Sequence, residues 1–188
     1  MRLNSKRMIV ALAAVALLSG GSAFASPLLT CKSSAYWSGR ASTLLTEIQK
    51  ETAELRPHAD KLESFARNPR LNWQSHATYL DRVKGHINSV GERIAELQRI
   101  RQDVLPWQQQ AITEVTSHAA QVAASTQAAI LHLRENQNYL FAPEYTDHLT
   151  TIADRSEEMK ETVDAFLEYE KTQLKLQRLQ RELELAGG

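Results

Sequence analysis

The stretch WQSHATYLDRVKGHINSVGERIAEL, residues 73–97, carries the pattern on which the fold rests. Trp73, His76, Leu80, Val83, Ile87, Val90, Ile94 and Leu97 follow one another at alternating steps of three and four. That spacing places them on one stripe of a helix, and a 3.5-residue repeat held over several heptads specifies knobs-into-holes packing in a left-handed seam.

The same pattern recurs on either side. Upstream it runs through Ala41, Leu45, Ile48, Thr52, Leu55, Ala59, Leu62 and Ala66. Downstream it runs through Ile112, Val115, Ala119, Val122, Thr126, Ala129, Leu133, Asn136 and Leu140, then through Tyr145, Leu149, Ile152, Ser156, Met159, Val163 and Phe166. Asn68-Pro69, Leu105-Pro106 and Ala142-Pro143 punctuate the repeats. Proline restricts the residue before it and suits the first turn of the helix after it. The expected helices are therefore about 36–66, 72–103, 106–140 and 144–186, within a single domain over 36–186. No hairpin dipeptide and no sustained β-branched alternation argues for strands. Short breaks between long helices force antiparallel returns, so the expected fold is all-α: an up-down four-helix bundle with coiled-coil-like packing and a long C-terminal helix. Pro57, inside the first helix, removes one backbone donor and predicts a kink or split there.

Ahead of the bundle, Arg2, Lys6 and Arg7 precede an apolar run from Met8 to Leu18 and then Ala23-Phe24-Ala25. This is the pattern of a cleaved signal peptide over 1–25, with a flexible segment expected over 26–35 and a periplasmic or secreted destination. The Leu28-Leu29-Thr30-Cys31 sequence is a poor lipidation site, because a Thr precedes the cysteine. One cysteine also excludes an intramolecular disulfide framework. No later stretch has the ~20 uninterrupted apolar residues of a membrane span, so no integral membrane segment is expected once the leader is removed.

The chain has 22 basic and 22 acidic residues. Losing Arg2, Lys6 and Arg7 with the leader makes it mildly acidic, which leaves no electrostatic footprint for nucleic acid. Motifs for covalent haem, zinc hydrolysis, di-iron carboxylate chemistry, phosphate loops and nucleophile elbows are absent. The expectation is a protein that is not an enzyme and has no cofactor.

Two patterns point beyond packing. Reflecting the chain about its loops brings His58, His76, His132 and His148 to similar heights, near Thr52, Thr126, Ser156 and Pro57. Facing side chains in a bundle can hold zinc, copper or haem, so these four are the candidate metal ligands of an alternative reading. Asn136 reads as a register-fixing polar group in the third seam. Glu54 and His58, Glu114 and His118, and Glu144 and His148 are each spaced to pair along one helix. The second pattern lies past Phe166, where the old frame would bury Glu170, Gln173 and Gln177 while leucines continue at Leu174, Leu176, Leu179 and Leu183. A helix that shifts its apolar face meets a different neighbour. That neighbour is either the chain's own Leu28–Arg40 stretch or a protein partner or second copy engaged through the C-terminal helix. The functional expectation is an exported interaction or scaffold module of the cell envelope.

Overall fold

A computed structural model describes residues 27–68 and 72–187, with side chains from Ala35 onward. The signal peptide expected over 1–25 falls outside the described residues. Four helices follow in order: α1 (Pro27–Phe65), α2 (Trp73–Ile100), α3 (Pro106–Glu135) and α4 (Pro143–Ala186), with a short 3-10 turn at Arg101–Asp103. There is no strand among the described residues.

The helices form a ring in which each packs on its chain neighbours and α1 closes against α4, while the diagonal pairs keep their backbones apart and meet through side chains that reach across the core, as Ser38 to Gln108 and His76 to Tyr145. Cross-links fix the antiparallel sense. Arg40 meets Glu96 and His86 meets Glu51 between α1 and α2. Gln49 meets Asp164, and Arg56 pairs with Glu157, between α1 and α4. His118 lies level with Glu158 between α3 and α4.

The heptad stripes form the core. Ile48, Leu55, Leu62, Val83, Leu97, Ile112, Val122, Leu149, Ile152 and Met159 are all excluded from solvent. Each such large side chain contributes about 1.5–3 kcal/mol by leaving water. The stripes drift near their ends: Phe65 rather than Ala66 closes α1, and Leu167 rather than Phe166 closes the buried run of α4. Thr52 and Ser156 are buried as expected and donate to carbonyls of their own helices, those of Gln49 and Ile152.

The helix starts follow local chemistry. Asn72 caps α2 by accepting from the Ser75 backbone N–H at 3.1 Å. Pro106 and Pro143 occupy first-turn positions of α3 and α4, where a missing N–H costs nothing.

Three expectations are revised. First, α1 is helical from Pro27, where a flexible segment was expected. Second, of the kink or split expected at Pro57, the split is absent, since α1 runs through it. Interior proline costs about 3 kcal/mol, but Leu55, Ala59 and Leu62 around it are fully buried, so packing on both sides holds the helix together. Third, α3 ends at Glu135 rather than near residue 140. Asn136 is its C-cap, at φ −132° and ψ 49°, with its N–H bonded to the His132 carbonyl at 2.8 Å. It therefore ends the seam instead of fixing its register, and Leu140 is buried from the following loop.

Past the ends of α2 and α3 the molecule changes character. Ser38 on α1 and Tyr169 on α4 still touch α3, through Gln108 and Trp107. Beyond these levels only α1 and α4 continue, α4 for about 24 Å past Glu170.

Candidate functional site

The histidines do not converge on a point. Four of them are drawn into a line of ring contacts: His86, His58, Tyr79, Phe65, His76, Tyr145 and His132, with successive centroids 4.9–5.8 Å apart. His58 turns toward α2, where it stacks on His86, whose Nδ1 lies 3.0 Å from Glu51. Burial lowers the His58 pKa, and the neighbouring His86 and Arg82 lower it further. His76 is buried to 1 % exposure between Phe65 and Tyr145, with Nδ1 2.9 Å from the Tyr145 hydroxyl. Its Nε2 has no partner among the described residues, and burial lowers its pKa. Burial likewise raises the Tyr145 pKa.

His132 stacks on the other side of this group, 4.9 Å from the Tyr145 ring, and its Nε2 lies 3.1 Å from the Tyr139 carbonyl. His148 is half-buried on the turn of α4 after Tyr145. Of the four candidate ligands, His76 and His132 therefore share a ring neighbour, Tyr145. No group of three or more His, Cys, Asp or Glu side chains able to hold a metal occurs among the described residues. The loop reflection estimated height correctly enough to bring His76 and His132 to one end, but height does not determine which way a ring faces. His118 shows the same limit, since it meets Glu158 of α4 at 3.3 Å rather than Glu114 of its own helix.

A polar junction at the opposite end was not anticipated from the sequence. Gln108, fully buried, accepts from the Ser38 hydroxyl and the Leu105 N–H, and donates to the Ser38 carbonyl and the Ser42 hydroxyl, all within 2.9–3.1 Å. Ser42 also donates to Glu170 of α4. This network ties α1, α3 and α4 together where the four-helix body ends. The sequence signal was slight: a glutamine in the first turn of a helix after Leu-Pro, which suits a residue reaching back to the preceding N–H.

Above this junction lie the candidate interaction residues. Leu174 is 57 % exposed, Leu176 48 %, Leu179 45 % and Leu183 73 %, and every residue from Leu174 to Gly187 is exposed. The leucines are thus open to solvent. They also do not form one face. Residues two apart on a helix point about 200° from each other, so Leu174 lies opposite Leu176, on the side continued from Leu167. Leu176, Leu179 and Leu183 extend a different line, through Thr162, Ala165, Tyr169 and Thr172, at unbroken three-four spacing.

The lower part of that line is one wall of an open groove of ≈ 620 Å³ between α3 and α4. Trp107, Gln110 and Glu114 form the α3 side, and Glu161, Thr162, Ala165, Phe166 and Tyr169 the α4 side. Trp107 stacks on Phe166 at 6.4 Å and meets Tyr169 edge-on at 5.7 Å, which fixes the aromatic wall. The arrangement can receive an apolar helix, beginning in the groove and running along the leucines. No helix among the described residues is long and apolar enough to cross a membrane. Compared with protein-family models, with curated proteins and with solved structures, the chain matches none.

Proposed function

We propose that this chain is an exported, non-catalytic helical scaffold of the cell envelope that docks a helix of another polypeptide along the exposed end of α4. The observation that carries the reading is the heptad line from Thr162 to Leu183, which leaves Leu176, Leu179 and Leu183 uncovered beside an aromatic groove. Solvated leucines at coiled-coil spacing are a sticky face, and a soluble chain keeps such a face when something covers it. The groove offers depth at one end and the leucines length at the other, which suits an extended helix better than a compact ligand. Export is supported by the basic, apolar and A-x-A pattern of Met1–Ala25.

In-cell photo-crosslinking tests the docking half. A photoreactive residue replacing Leu179 is expected to give a defined covalent product, lost when Leu176→Glu and Leu183→Glu are added. The same probe replacing Asp154, exposed on the four-helix body, is expected to give none. Equal labelling at both positions, or none at position 179, overturns the reading. The export half is read separately: the periplasmic or secreted fraction is expected to hold a chain beginning at Ser26, and an uncleaved cytoplasmic chain sinks it.

A further inference from the structure

We infer that the helix covering this line is α4 of a second copy of the same chain, lying antiparallel to the first. The inference rests on the docking reading above and adds the identity and register of the occupant. In heptad terms Thr162, Tyr169, Leu176 and Leu183 are a positions, and Ala165, Thr172, Leu179 and Ala186 are d positions. In an antiparallel pair each a residue faces a d residue of the other helix. A two-fold axis between Gln177 and Arg178 therefore sets Leu176 against the partner's Leu179, and Leu179 against the partner's Leu176. The same operation sets Leu183 against the partner's Thr172, and Tyr169 against the partner's Ala186. All three exposed leucines of the line enter the seam, and each large residue toward its ends meets a small one. The end of the partner's α4 then reaches Tyr169, at the mouth of the Trp107 groove.

Charge agrees with this register. Lys175 and Glu182 occupy successive g positions, both exposed. The two-fold axis brings Lys175 beside the partner's Glu182 and Glu182 beside the partner's Lys175, giving two opposite-charge pairs from one sequence. On the other flank, the e positions Gln173 and Gln180 meet as amides. A parallel pair places Lys175 beside the partner's Gln180 and Glu168 beside the partner's Gln173, with no ion pair in either place. Isologous pairing through a two-fold axis is the commonest closed assembly and leaves no further copy of the line exposed. The overlap from Tyr169 to Ala186 is about 26 Å long, which belongs to the small, transient class of interface. Dissociation on the order of micromolar to tens of micromolar is expected.

Sedimentation equilibrium on the full exported chain, from 1 to about 300 μM and with reductant present so that Cys31 cannot bridge, tests the inference. A monomer–dimer equilibrium is expected. Leu176→Glu with Leu179→Glu should weaken it by more than about 10-fold while leaving helicity and the melting of dilute protein unchanged. Lys175→Glu alone and Glu182→Lys alone should each weaken it several-fold, and the two together should restore it to within about 2-fold of the original. A chain that stays monomeric throughout, a dimer indifferent to the leucine changes, or charge changes that add without rescue overturns the inference. The docking reading fails separately. Cross-links at position 179 to a product of another mass, with a monomeric purified chain, retain the docking helix and discard the second copy. Absence of both removes both.

Discussion

The two ends of α4 put the same heptad grammar to opposite uses. At the Tyr145 end the stripe faces three other helices, and Tyr145, Leu149, Ile152 and Met159 are excluded from water. At the Leu183 end α2 and α3 have stopped, and three leucines at the same three-four spacing stand 45–73 % exposed. Apolar periodicity alone thus says that a helix has a face to bury; it does not say whether the neighbour is in the same chain. The boundary between the two regimes is not gradual. It falls at the Gln108 junction, where one amide satisfies donors and acceptors from α1 and the start of α3, and Ser42 passes the network to α4.

The largest expected effect that separates the two ends is a leucine truncation in each. Leu149→Ala should destabilise by about 2–5 kcal/mol, because it opens a cavity in a closed core. Urea denaturation of dilute protein reads this directly, and a shift below about 1 kcal/mol would mean that the Tyr145 end is not packed as described. Next is the junction itself. Gln108→Ala should cost about 1–3 kcal/mol by removing the acceptor of the Leu105 N–H and of the Ser38 hydroxyl. Hydrogen exchange at Leu105 should rise in parallel, and unchanged protection there would remove Gln108 from its assigned place. Tyr145→Phe is smaller, about 1 kcal/mol, since it deletes the hydroxyl beside His76 Nδ1 and keeps the ring that stacks on His132.

Acid sharpens the contrast without any mutation. His76 and His58 both have pKa values lowered in the folded chain, chiefly by burial, from an ordinary value of 6.5. The unfolded chain therefore takes up these protons first. Their contribution is intact above about pH 6.5 and declines as pH falls from there through the lowered folded values. The urea midpoint should drop between pH 7 and pH 5, and His76→Phe should flatten that slope; an identical slope in the variant would show that His76 does not titrate out of register with the unfolded chain. The smallest effect belongs to the open end. Leu183→Ala in dilute protein should stay within about 0.5 kcal/mol of the parent, the behaviour of a residue that is 73 % exposed. A loss of 2 kcal/mol there would mean that the chain covers its own leucines.

Much of this was legible before any coordinates. The alternating spacing from Trp73 to Leu97 gave α2 and its buried stripe residue by residue, except that Trp73 itself stays 37 % exposed. The prolines at 106 and 143 marked the starts of α3 and α4 because proline suits the first helical turn. The change of phase after Phe166 located the exposed leucines, although it merged Leu174 with the opposite face. Less was legible at the histidines. His58, His76, His132 and His148 were placed by height, and whether imidazoles meet depends on rotation about each helix axis, which loop lengths do not constrain. Gln108 was missed because a single polar residue becomes a junction only when three helices converge on it.

By itself, then, the sequence determined the class of fold, the order and sense of the helices and the existence of an unmatched apolar line on α4, because periodicity and proline act within a helix. Tertiary structure alone decided that Pro57 is carried inside an unbroken α1, that His58, His76 and His132 enter a line of rings instead of a cluster, and that Leu176, Leu179 and Leu183 are left open. Each of those depends on what stands opposite a residue across the bundle, and that is set by packing between helices rather than by spacing along one of them.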